Sequence, residues 1–304
     1  MVMQQYVYQQ CVIMVMRYSL LFLLFVFITS AAYAYDRAVS LAPSITEIVY
    51  DLGAEDKLVG VTAFCDFPPA AQKKPSVGGY LNPSIEMIVS LHPDLVIAAK
   101  NGGAKQLVEK LEDMGITVVT VEFYSIATIV DAYQKIGRAL GVEQQAEEKV
   151  RDFTEQVNNY RSACAGLQQK KVLFVRWNNP LTVVGRGSLE DEILDIINAE
   201  NVTERGESRY PVYTMEAVIQ SSPDIIIDAS YYDTPGPAAR KHMSAFWHEW
   251  PSLAAVAHDE IYILKTDFHS VPGPRTRMLL DEMAAIVHPD AYESPWGLHE
   301  KLDA

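Results

Sequence analysis

Two hydrophobic periods alternate along the chain. Short apolar runs rich in β-branched residues predict strands, and longer segments whose apolar residues recur every three or four positions predict amphipathic helices. The predicted strands include residues 38–41, 58–64, 94–99, 116–122, 171–175, 181–185 and 260–264. The predicted helices between them include residues 83–91 and 104–114, and a C-terminal helix runs from about Arg275 to Val287. Strands separated by single helices are typical of a mostly parallel sheet with helices on its faces, so the pattern predicts an α/β fold.

One helix–turn–strand unit occurs twice, 130 positions apart. Residues 84–100, SIEMIVSLHPDLVIAAK, align without gaps with residues 214–230, TMEAVIQSSPDIIIDAS. The identical positions are Glu86/Glu216, Pro93/Pro223, Asp94/Asp224, Ile97/Ile227 and Ala99/Ala229. The duplication predicts two similar α/β lobes, each with a central sheet, and a ligand cleft between them.

Residues 143–168 predict one long helix that joins the two lobes. An apolar stripe with steps of three or four residues runs through Val150, Phe153, Val157, Tyr160, Cys164 and Leu167. No proline interrupts the stripe, and about 25 helical residues span roughly 35–40 Å at 1.5 Å per residue. A rigid connection of this kind lets the lobes rock but not swing. The predicted organisation is an N-terminal lobe at 35–142, the connecting helix at 143–168 and a C-terminal lobe at 169–304.

Residues 1–34 predict a secretory signal peptide. Arg17 is the only charged residue before Asp36, an apolar run follows it, and Ala32 and Ala34 occupy the −3 and −1 positions of a cleavage site. An uncleaved membrane anchor is the alternative, although the apolar run is short for a spanning helix. No cysteine stands at the cleavage point, which argues against a lipid anchor. We therefore expect an exported protein whose mature chain begins at Tyr35.

Charge narrows the choice of partners. The full chain has a net charge of −14, and removal of residues 1–34 leaves 24 basic against 39 acidic residues, a net charge of −15. Such a surface repels nucleic acid and anionic lipid and favours a basic partner. An oxidising compartment would permit a disulfide between Cys65 and Cys164, but we expect both thiols to be unpaired.

The sequence lacks the motifs of common enzyme classes. It contains no phosphate-binding glycine loop ending in Lys-Ser/Thr, no Gly-x-Ser-x-Gly and no His-Glu-x-x-His. The best candidate for metal ligation, His269 beside Asp267, falls short of the three or four ligands that a transition metal needs. We predict neither an enzyme nor a metal site. A redox or metal enzyme built on paired α/β lobes is the alternative class, but Cys65 and Cys164 are too few to hold a cluster.

Aromatic residues crowd the positions where the predicted strands end, and ligands of parallel α/β sheets bind beyond those ends. They are Phe64, Phe67, Tyr80, Phe123, Tyr124, Trp177, Tyr210, Tyr213, Tyr231, Tyr232 and Phe268. Any one of them is more often a packing residue, but as a set they predict aromatic walls on both sides of the cleft. Such walls suit a large, rigid, mostly apolar ligand, for which Arg176 and Asp267 could provide polar contacts.

Four segments together resemble a known family. They are RAVSLAPSITEIVYDLG (37–53), GVTAFCDFPPAAQKKPSVGGYLNPSIEMIVSLHPDLVIAA (60–99), RYPVYTMEAVIQSSPDIII (209–227) and DFHSVPGPRTRMLLDEMA (267–284). These segments are similar to the helical-backbone (class III) substrate-binding proteins of ABC importers, and within that family to the cobalamin-binding branch. The resemblance implies a monomer that carries a small-molecule cargo to a permease dimer in the inner membrane.

The resemblance also implies roles for individual residues. It assigns ligand contact to Phe64, Phe67, Tyr80, Trp177, Tyr210 and Asp267. It assigns permease docking to Glu86 and Glu216, one on each lobe. For these two glutamates, the alternative is that each carboxylate only complements the N-terminus of its own helix.

This sequence departs from the cobalamin-binding pattern at one position where the pattern expects a ligand contact. Ala99 and Lys100 stand near a position where a tryptophan is expected. The same scaffold serves ferric siderophores and haem, and Arg176, Arg186 and Arg209 would suit such anionic ligands. The prediction is a periplasmic protein that captures a corrinoid such as cobalamin, with a ferric siderophore or haem as the alternative cargo.

Overall fold

Two sheets, one in each half of the chain, organise the protein. The computed structural model describes residue 14 and residues 34–100, 105–203, 206, 208–230, 237–264 and 270–302. Residues Tyr35–Ala304 form one compact unit that begins at the predicted mature N-terminus. The predicted signal peptide lies outside the described residues except for positions 14 and 34. No helix in the described ranges combines the length and the apolar character needed to cross a membrane.

The N-terminal lobe contains a four-stranded parallel sheet with the order β2–β1–β3–β4. Its strands are β1 (Ala38–Ser40), β2 (Leu58–Val61), β3 (Leu95–Ala99) and β4 (Thr117–Val121). Its helices are α1 (Pro43–Asp51), α2 (Ile85–Ser90), α3 (Lys105–Asp113) and α4 (Ile126–Leu140), with short 3-10 turns at Glu55–Lys57 and Pro69–Lys73.

A single helix, α5 (Glu143–Cys164), connects the lobes and spans 22 residues. It occupies most of the segment that the apolar stripe predicts. Helix α4 packs closely against it because Gly137 has no side chain, and a Cβ atom at Gly137 would lie 2.5 Å from the Cβ of Ala146. The chain turns between the two helices at Gly141, whose φ of 67° is a conformation that favours glycine.

The C-terminal lobe contains a six-stranded sheet with the order β10–β9–β8–β5–β6, in which β7 also pairs with β5. Its strands are β5 (Lys171–Asn178), β6 (Leu181–Val183), β7 (Glu200–Asn201), β8 (Ile225–Asp228), β9 (Ile261–Leu264) and β10 (His299–Lys301). Its helices are α6 (Leu189–Ile196), α7 (Met215–Ser221), α8 (Pro237–His248), α9 (Ala254–Ala257) and α10 (Thr276–Val287). The strands pair in parallel, except that β6 and β10 run antiparallel to their neighbours. The predicted fold class, two α/β lobes with mostly parallel sheets, is confirmed.

The repeated unit has the same local structure in both lobes. At the start of α2 the Ser84 hydroxyl accepts a hydrogen bond from the backbone N–H of Met87. At the start of α7 the Thr214 hydroxyl accepts one from the backbone N–H of Ala217. Serine and threonine satisfy helix-terminal amides in the same way, which accounts for their exchange between the two copies.

The shared aspartates hold neighbouring strands in register. The Asp94 carboxylate accepts hydrogen bonds from the backbone N–H groups of Asp36 and Arg37, just before β1. The Asp224 carboxylate accepts one from the backbone N–H of Lys171, at the start of β5. In each lobe the aspartate therefore fixes the strand of the repeat beside the first strand of its sheet.

One apolar core runs through both lobes. Alternate residues of β3, and of β8 with the residue that follows it, face this core at equivalent positions of the repeat: Leu95, Ile97 and Ala99 in one copy, Ile225, Ile227 and Ala229 in the other. The connecting helix α5 contributes Phe153, Val157 and Cys164 to the same core. The opposite face of each sheet packs in a separate cluster within its own lobe. Cys65 and Cys164 are both buried and unpaired, as expected.

Candidate functional site

A cleft of about 790 Å³ lies between the two lobes. The N-terminal lobe lines it with residues at or after the carboxyl ends of its four strands and from one further loop: Ala42, Pro43, Ser44, Ala63, Phe64, Asp66, Tyr80, Leu81, Asn82, Ala99, Val121, Glu122 and Phe123. The C-terminal lobe lines it with Arg176, Leu189, Glu190, Tyr210, Ser270, Val271 and Pro272. The position of the cleft agrees with the expectation for parallel α/β sheets.

Three of the predicted aromatic contacts lie in the cleft. Phe64 follows β2 and Tyr80 precedes α2 on one side, and Tyr210 precedes α7 on the other. Phe64 is 63% exposed and Tyr210 is 41% exposed, so both residues present open surface to a ligand. Burial raises the pKa of Tyr80, and its phenol therefore stays neutral in the physiological range.

The other three predicted contacts do not appear among the described lining residues. Phe67 lies beneath the guanidinium group of Arg275, 5.0 Å from its ring centroid. The indole N–H of Trp177 donates a hydrogen bond to the carbonyl oxygen of Asn179 at 2.7 Å. Asp267 falls outside the described residues.

Glu190 is a cleft residue that the sequence did not single out. It lies in the first turn of α6, whose N-cap Ser188 accepts a hydrogen bond from a backbone N–H. Its carboxylate binds Arg176 at 2.8 Å and accepts a hydrogen bond from the Tyr210 hydroxyl at 3.2 Å. Arg176 in turn lies 5.2 Å from the centroid of the Tyr210 ring. The C-terminal wall of the cleft is therefore a connected Arg176–Glu190–Tyr210 cluster.

Burial and electrostatics together keep the Tyr210 phenol protonated. Burial, with the Glu190 carboxylate nearby, raises the pKa of Tyr210. Tyr210 therefore remains a neutral hydrogen-bond donor. The Arg176 and Glu190 side chains are only 18% and 2% exposed, and in such surroundings a charge-assisted contact is strong.

Gly185 fixes the loop that carries Tyr210. Its backbone N–H donates a hydrogen bond to the carbonyl oxygen of Arg209 at 2.7 Å. A Cβ atom at Gly185 would lie 2.5 Å from the carbonyl oxygen of Ser208 and 2.7 Å from Pro211. Only a residue without a side chain allows this loop to approach so closely.

The three predicted arginines are not gathered in the cleft. Arg186 donates hydrogen bonds to the carbonyl oxygens of Asn201 and Thr203 inside the C-terminal lobe. Arg209 lies over the ring of Tyr124, 4.4 Å from its centroid, and so contacts the opposite lobe. Of these three arginines, only Arg176 is among the described residues that line the cleft.

A buried ion pair links the two lobes. The guanidinium group of Arg275, just before α10, makes two contacts of 2.9 and 2.6 Å with the carboxylate of Glu47 in α1. The Glu47 side chain is 1% exposed and that of Arg275 is 10% exposed. The contact fixes the segment that follows Pro272 against the N-terminal lobe.

Glu86 and Glu216 lie outside the described cleft lining, and both are fully exposed. In each case the backbone N–H of the glutamate and the hydroxyl of the N-cap residue, Ser84 or Thr214, lower the pKa of the carboxyl group. Both carboxylates are therefore ionised, and both complement the N-terminus of their own helix.

The described residues provide no group of three or more histidine, cysteine, aspartate or glutamate side chains arranged to hold a metal ion.

Comparison with known proteins places this geometry in a family. The sequence profile described as periplasmic binding protein matches residues 39–268. The vitamin B12-binding protein of Vibrio cholerae serotype O1 is 28% identical over 257 residues, which cover 83% of this chain and 90% of that protein.

Solved structures agree with the sequence match. The periplasmic vitamin B12 binding protein BtuF of Vibrio cholerae superposes with a TM-score of 0.71 at 26% identity, over 83% of this chain and 96% of that one. A periplasmic heme binding protein from Pseudomonas aeruginosa superposes with a TM-score of 0.73 at 27% identity, over 89% of this chain and 99% of that one. The family comprises substrate-binding proteins rather than enzymes. The profile spans most of the chain and the two-lobed fold matches, so this protein belongs to the periplasmic binding protein family.

Proposed function

We propose that the protein captures a corrinoid, such as cobalamin, in the periplasm and delivers it to an ABC importer. The observation that carries the proposal is the cleft between the lobes, which Phe64 and Tyr80 line from one side and Tyr210 from the other. Exposed aromatic rings on facing walls suit a large planar ligand with an apolar body. The similarity to vitamin B12-binding proteins, in sequence and in structure, supports a corrinoid as that ligand.

Haem or a ferric siderophore is the second candidate cargo. It is favoured by the similarity to a periplasmic heme binding protein from Pseudomonas aeruginosa. A planar haem would use the same aromatic walls as a corrinoid, so the aromatic residues alone do not separate the two ligands.

Native mass spectrometry of the protein purified from the periplasm tests the proposal directly. We expect one bound corrinoid per chain, and calorimetric titration with cyanocobalamin should show a one-to-one complex. A bound mass that matches haem or a siderophore, with no heat from cyanocobalamin, would replace the corrinoid by the second candidate.

Aromatic substitutions test whether the described cleft holds the ligand. An aromatic contact is worth about 1 kcal/mol beyond its buried area, so Phe64→Ala and Tyr210→Ala should each weaken cyanocobalamin binding by about fivefold or more. Trp296→Ala is the matched control, because Trp296 is also an exposed aromatic residue, at 51%, but lies outside the described lining. Equal effects of the three substitutions would place the ligand elsewhere.

Export is part of the proposal. A signal peptide cleaved after Ala34 would release a mature chain that begins at Tyr35. N-terminal sequencing of the exported protein checks this, and a first residue before Ala31 would contradict it.

Delivery requires a docking surface, for which we propose Glu86 and Glu216. They occupy equivalent positions of the repeated unit, one on each lobe, and both are exposed and ionised. A two-fold symmetric permease dimer offers the same patch twice, so each carboxylate would meet an equivalent arginine through charge-assisted hydrogen bonds. Their contacts with their own helices support the alternative, a purely local role.

Glutamine variants separate docking from local stabilisation, because glutamine still accepts hydrogen bonds but carries no charge. We expect Glu86→Gln and Glu216→Gln to reduce uptake into vesicles that contain the importer, and the double variant to reduce it most. Ligand affinity should be unchanged, because neither residue lines the described cleft. Glu109→Gln, at an exposed position of α3, is the control. Normal uptake by the double variant would leave only the local role.

A further inference from the structure

We infer that the cleft selects its ligand by charge, admitting neutral and cationic macrocycles and rejecting those that carry several carboxylates or other anionic groups. This inference rests on the proposed function and deepens it. It makes an amide-bearing corrinoid the preferred cargo over haem, which has two propionates, and over anionic ferric siderophores.

The charged residues among the described cleft lining are mostly acidic. Among the described lining residues, three are acidic, Asp66, Glu122 and Glu190, and one is basic, Arg176. The surrounding protein adds to this field because the chain carries a net charge of −14. Low-dielectric walls focus this excess of negative charge on the ligand, so each anionic group of a ligand would be repelled.

Arg176 does not offset this repulsion because its charge is already used. It contacts Glu190 at 2.8 Å, and the two side chains are only 18% and 2% exposed. A ligand carboxylate that took Arg176 for itself would leave Glu190 buried without its partner, and a buried charge without a partner is strongly unfavourable. The Tyr210 hydroxyl, which also donates to Glu190, reinforces the existing arrangement.

On the N-terminal side of the cleft, no described lining residue supplies a positive charge. Lys100 contacts Glu122 at 2.7 Å, but its side chain is 69% exposed and does not itself line the cleft. Solvent screens a pair of that kind, so Lys100 offsets only part of the Glu122 charge and adds no cationic group to the described lining. Asp66 faces the cleft from the segment after β2.

A matched pair of ligands tests the inference with the intact mature protein. Cyanocobalamin carries amide side chains, and its carboxylic acid derivatives, in which several amides are hydrolysed, keep the ring but add negative charge. We expect binding of a tricarboxylate derivative to be at least about tenfold weaker than that of cyanocobalamin, because screened like charges within about 6 Å each cost roughly threefold. The difference should shrink in 0.5 M salt. Equal or tighter binding of the tricarboxylate would overturn the inference and leave the proposed function intact.

Substitutions of single acidic residues test which side chains produce the charge selectivity. Glu190→Gln removes the carboxylate that Arg176 contacts, and we expect the affinity ratio of tricarboxylate to cyanocobalamin to rise about tenfold, because a charge lost from buried surroundings counts for more than one lost from water. Asp195→Asn, in the same helix α6 but 78% exposed at its side chain, should leave the ratio unchanged. If Glu190→Gln does not fold, Asp66→Asn at the exposed cleft edge provides the second variant, with a rise of about threefold. A ratio that does not move in a folded variant would overturn the inference.

A comparison of haem with its dimethyl ester separates failure of this inference from failure of the proposed function. If no corrinoid binds at all, the proposed ligand is wrong, and haem and its uncharged dimethyl ester then form the matched pair. Preference for the ester would uphold charge selection, and preference for haem would overturn it.

Discussion

The buried ion pair between Glu47 and Arg275 leads to our most quantitative prediction. The pair joins the two lobes by two contacts of 2.9 and 2.6 Å, and the side chains are 1% and 10% exposed. Arg275→Ala would leave the Glu47 carboxylate in the interior with its main partner removed. Removing one partner of a buried pair costs about 3–5 kcal/mol, so the free energy of unfolding should fall by about that amount.

Urea denaturation followed by fluorescence measures the effect. Two comparisons make the result specific to burial. Lys135→Ala breaks the exposed pair of Lys135 and Asp131, whose side chains are 46% and 49% exposed, and should cost less than about 0.5 kcal/mol. The double variant Glu47→Leu with Arg275→Met removes both buried charges together. Its stability should be much closer to that of the unmodified protein, because replacing a buried pair by apolar residues is often nearly neutral.

Two results would refute this reasoning. A loss below about 1 kcal/mol for Arg275→Ala would mean that water reaches Glu47 and that the pair behaves like a surface contact. A double variant as unstable as Arg275→Ala would mean that packing of the arginine stem, rather than its charge, stabilises the junction.

Four further predictions follow from individual side chains. Phe153→Ala in α5 should lower the free energy of unfolding by about 3–5 kcal/mol, measured by urea denaturation, because Phe153 is buried in the core that both lobes share; a loss below 1 kcal/mol would contradict that assignment. Cys65 and Cys164 should react with a thiol reagent only after unfolding, because both are buried and burial raises the pKa of Cys65; rapid reaction of the native protein would be inconsistent with the structure. Burial, with a neighbouring aspartate, raises the pKa of Tyr133 above its unfolded value of about 10, so its contribution is fully present below pH 10 and is lost as the pH rises beyond it. Between pH 8 and pH 11, the free energy of unfolding should therefore fall less for Tyr133→Phe than for the unmodified protein. Gly185→Ala should weaken cyanocobalamin binding by displacing the loop that carries Tyr210, and unchanged affinity would show that the loop does not position the ring.

The sequence predicts the parts of the fold that follow from hydrophobic period. The buried strands β1, β3, β5, β8 and β9 all appear as apolar runs, and the repeat places both copies of the helix–strand unit correctly. Strand β10 could not be predicted in this way. Its residues, His299, Glu300 and Lys301, form no apolar run, and they are in a strand because they pair antiparallel with β9. Tertiary contacts, rather than local preference, make this strand.

The candidate site was only partly predictable because adjacent residues on a helix point in different directions. Glu190, Asp191 and Glu192 are consecutive acidic residues in the first turn of α6 and look alike in the sequence. Each is rotated by about 100° from the last, so they make different contacts. Glu190 binds Arg176 in the cleft, Asp191 accepts hydrogen bonds within its own lobe, and Glu192 accepts one from the backbone N–H of Ile126 in the other lobe.

Strand β5 is irregular at its end, where Arg176 lines the cleft and Trp177 is not among the described lining residues. The pairing of β5 with β6 shifts register between Val175 and Trp177. A bulge of this kind changes the direction in which the next side chains point. The sequence places both residues near the end of the strand, but it contains no signal for the bulge.

The single core of the two lobes bears on the origin of the duplication. The repeated residues Ile97 and Ile227 face the same core, which α5 completes with Phe153. A lone ancestral lobe with such a face would have needed a second copy of itself to cover it, in a two-fold symmetric dimer. Fusion of the two copies would have turned that association into an intramolecular one, with an effective concentration on the order of millimolar. The chain would then assemble the pair at any expression level, and each half would be free to acquire its own ligand contacts.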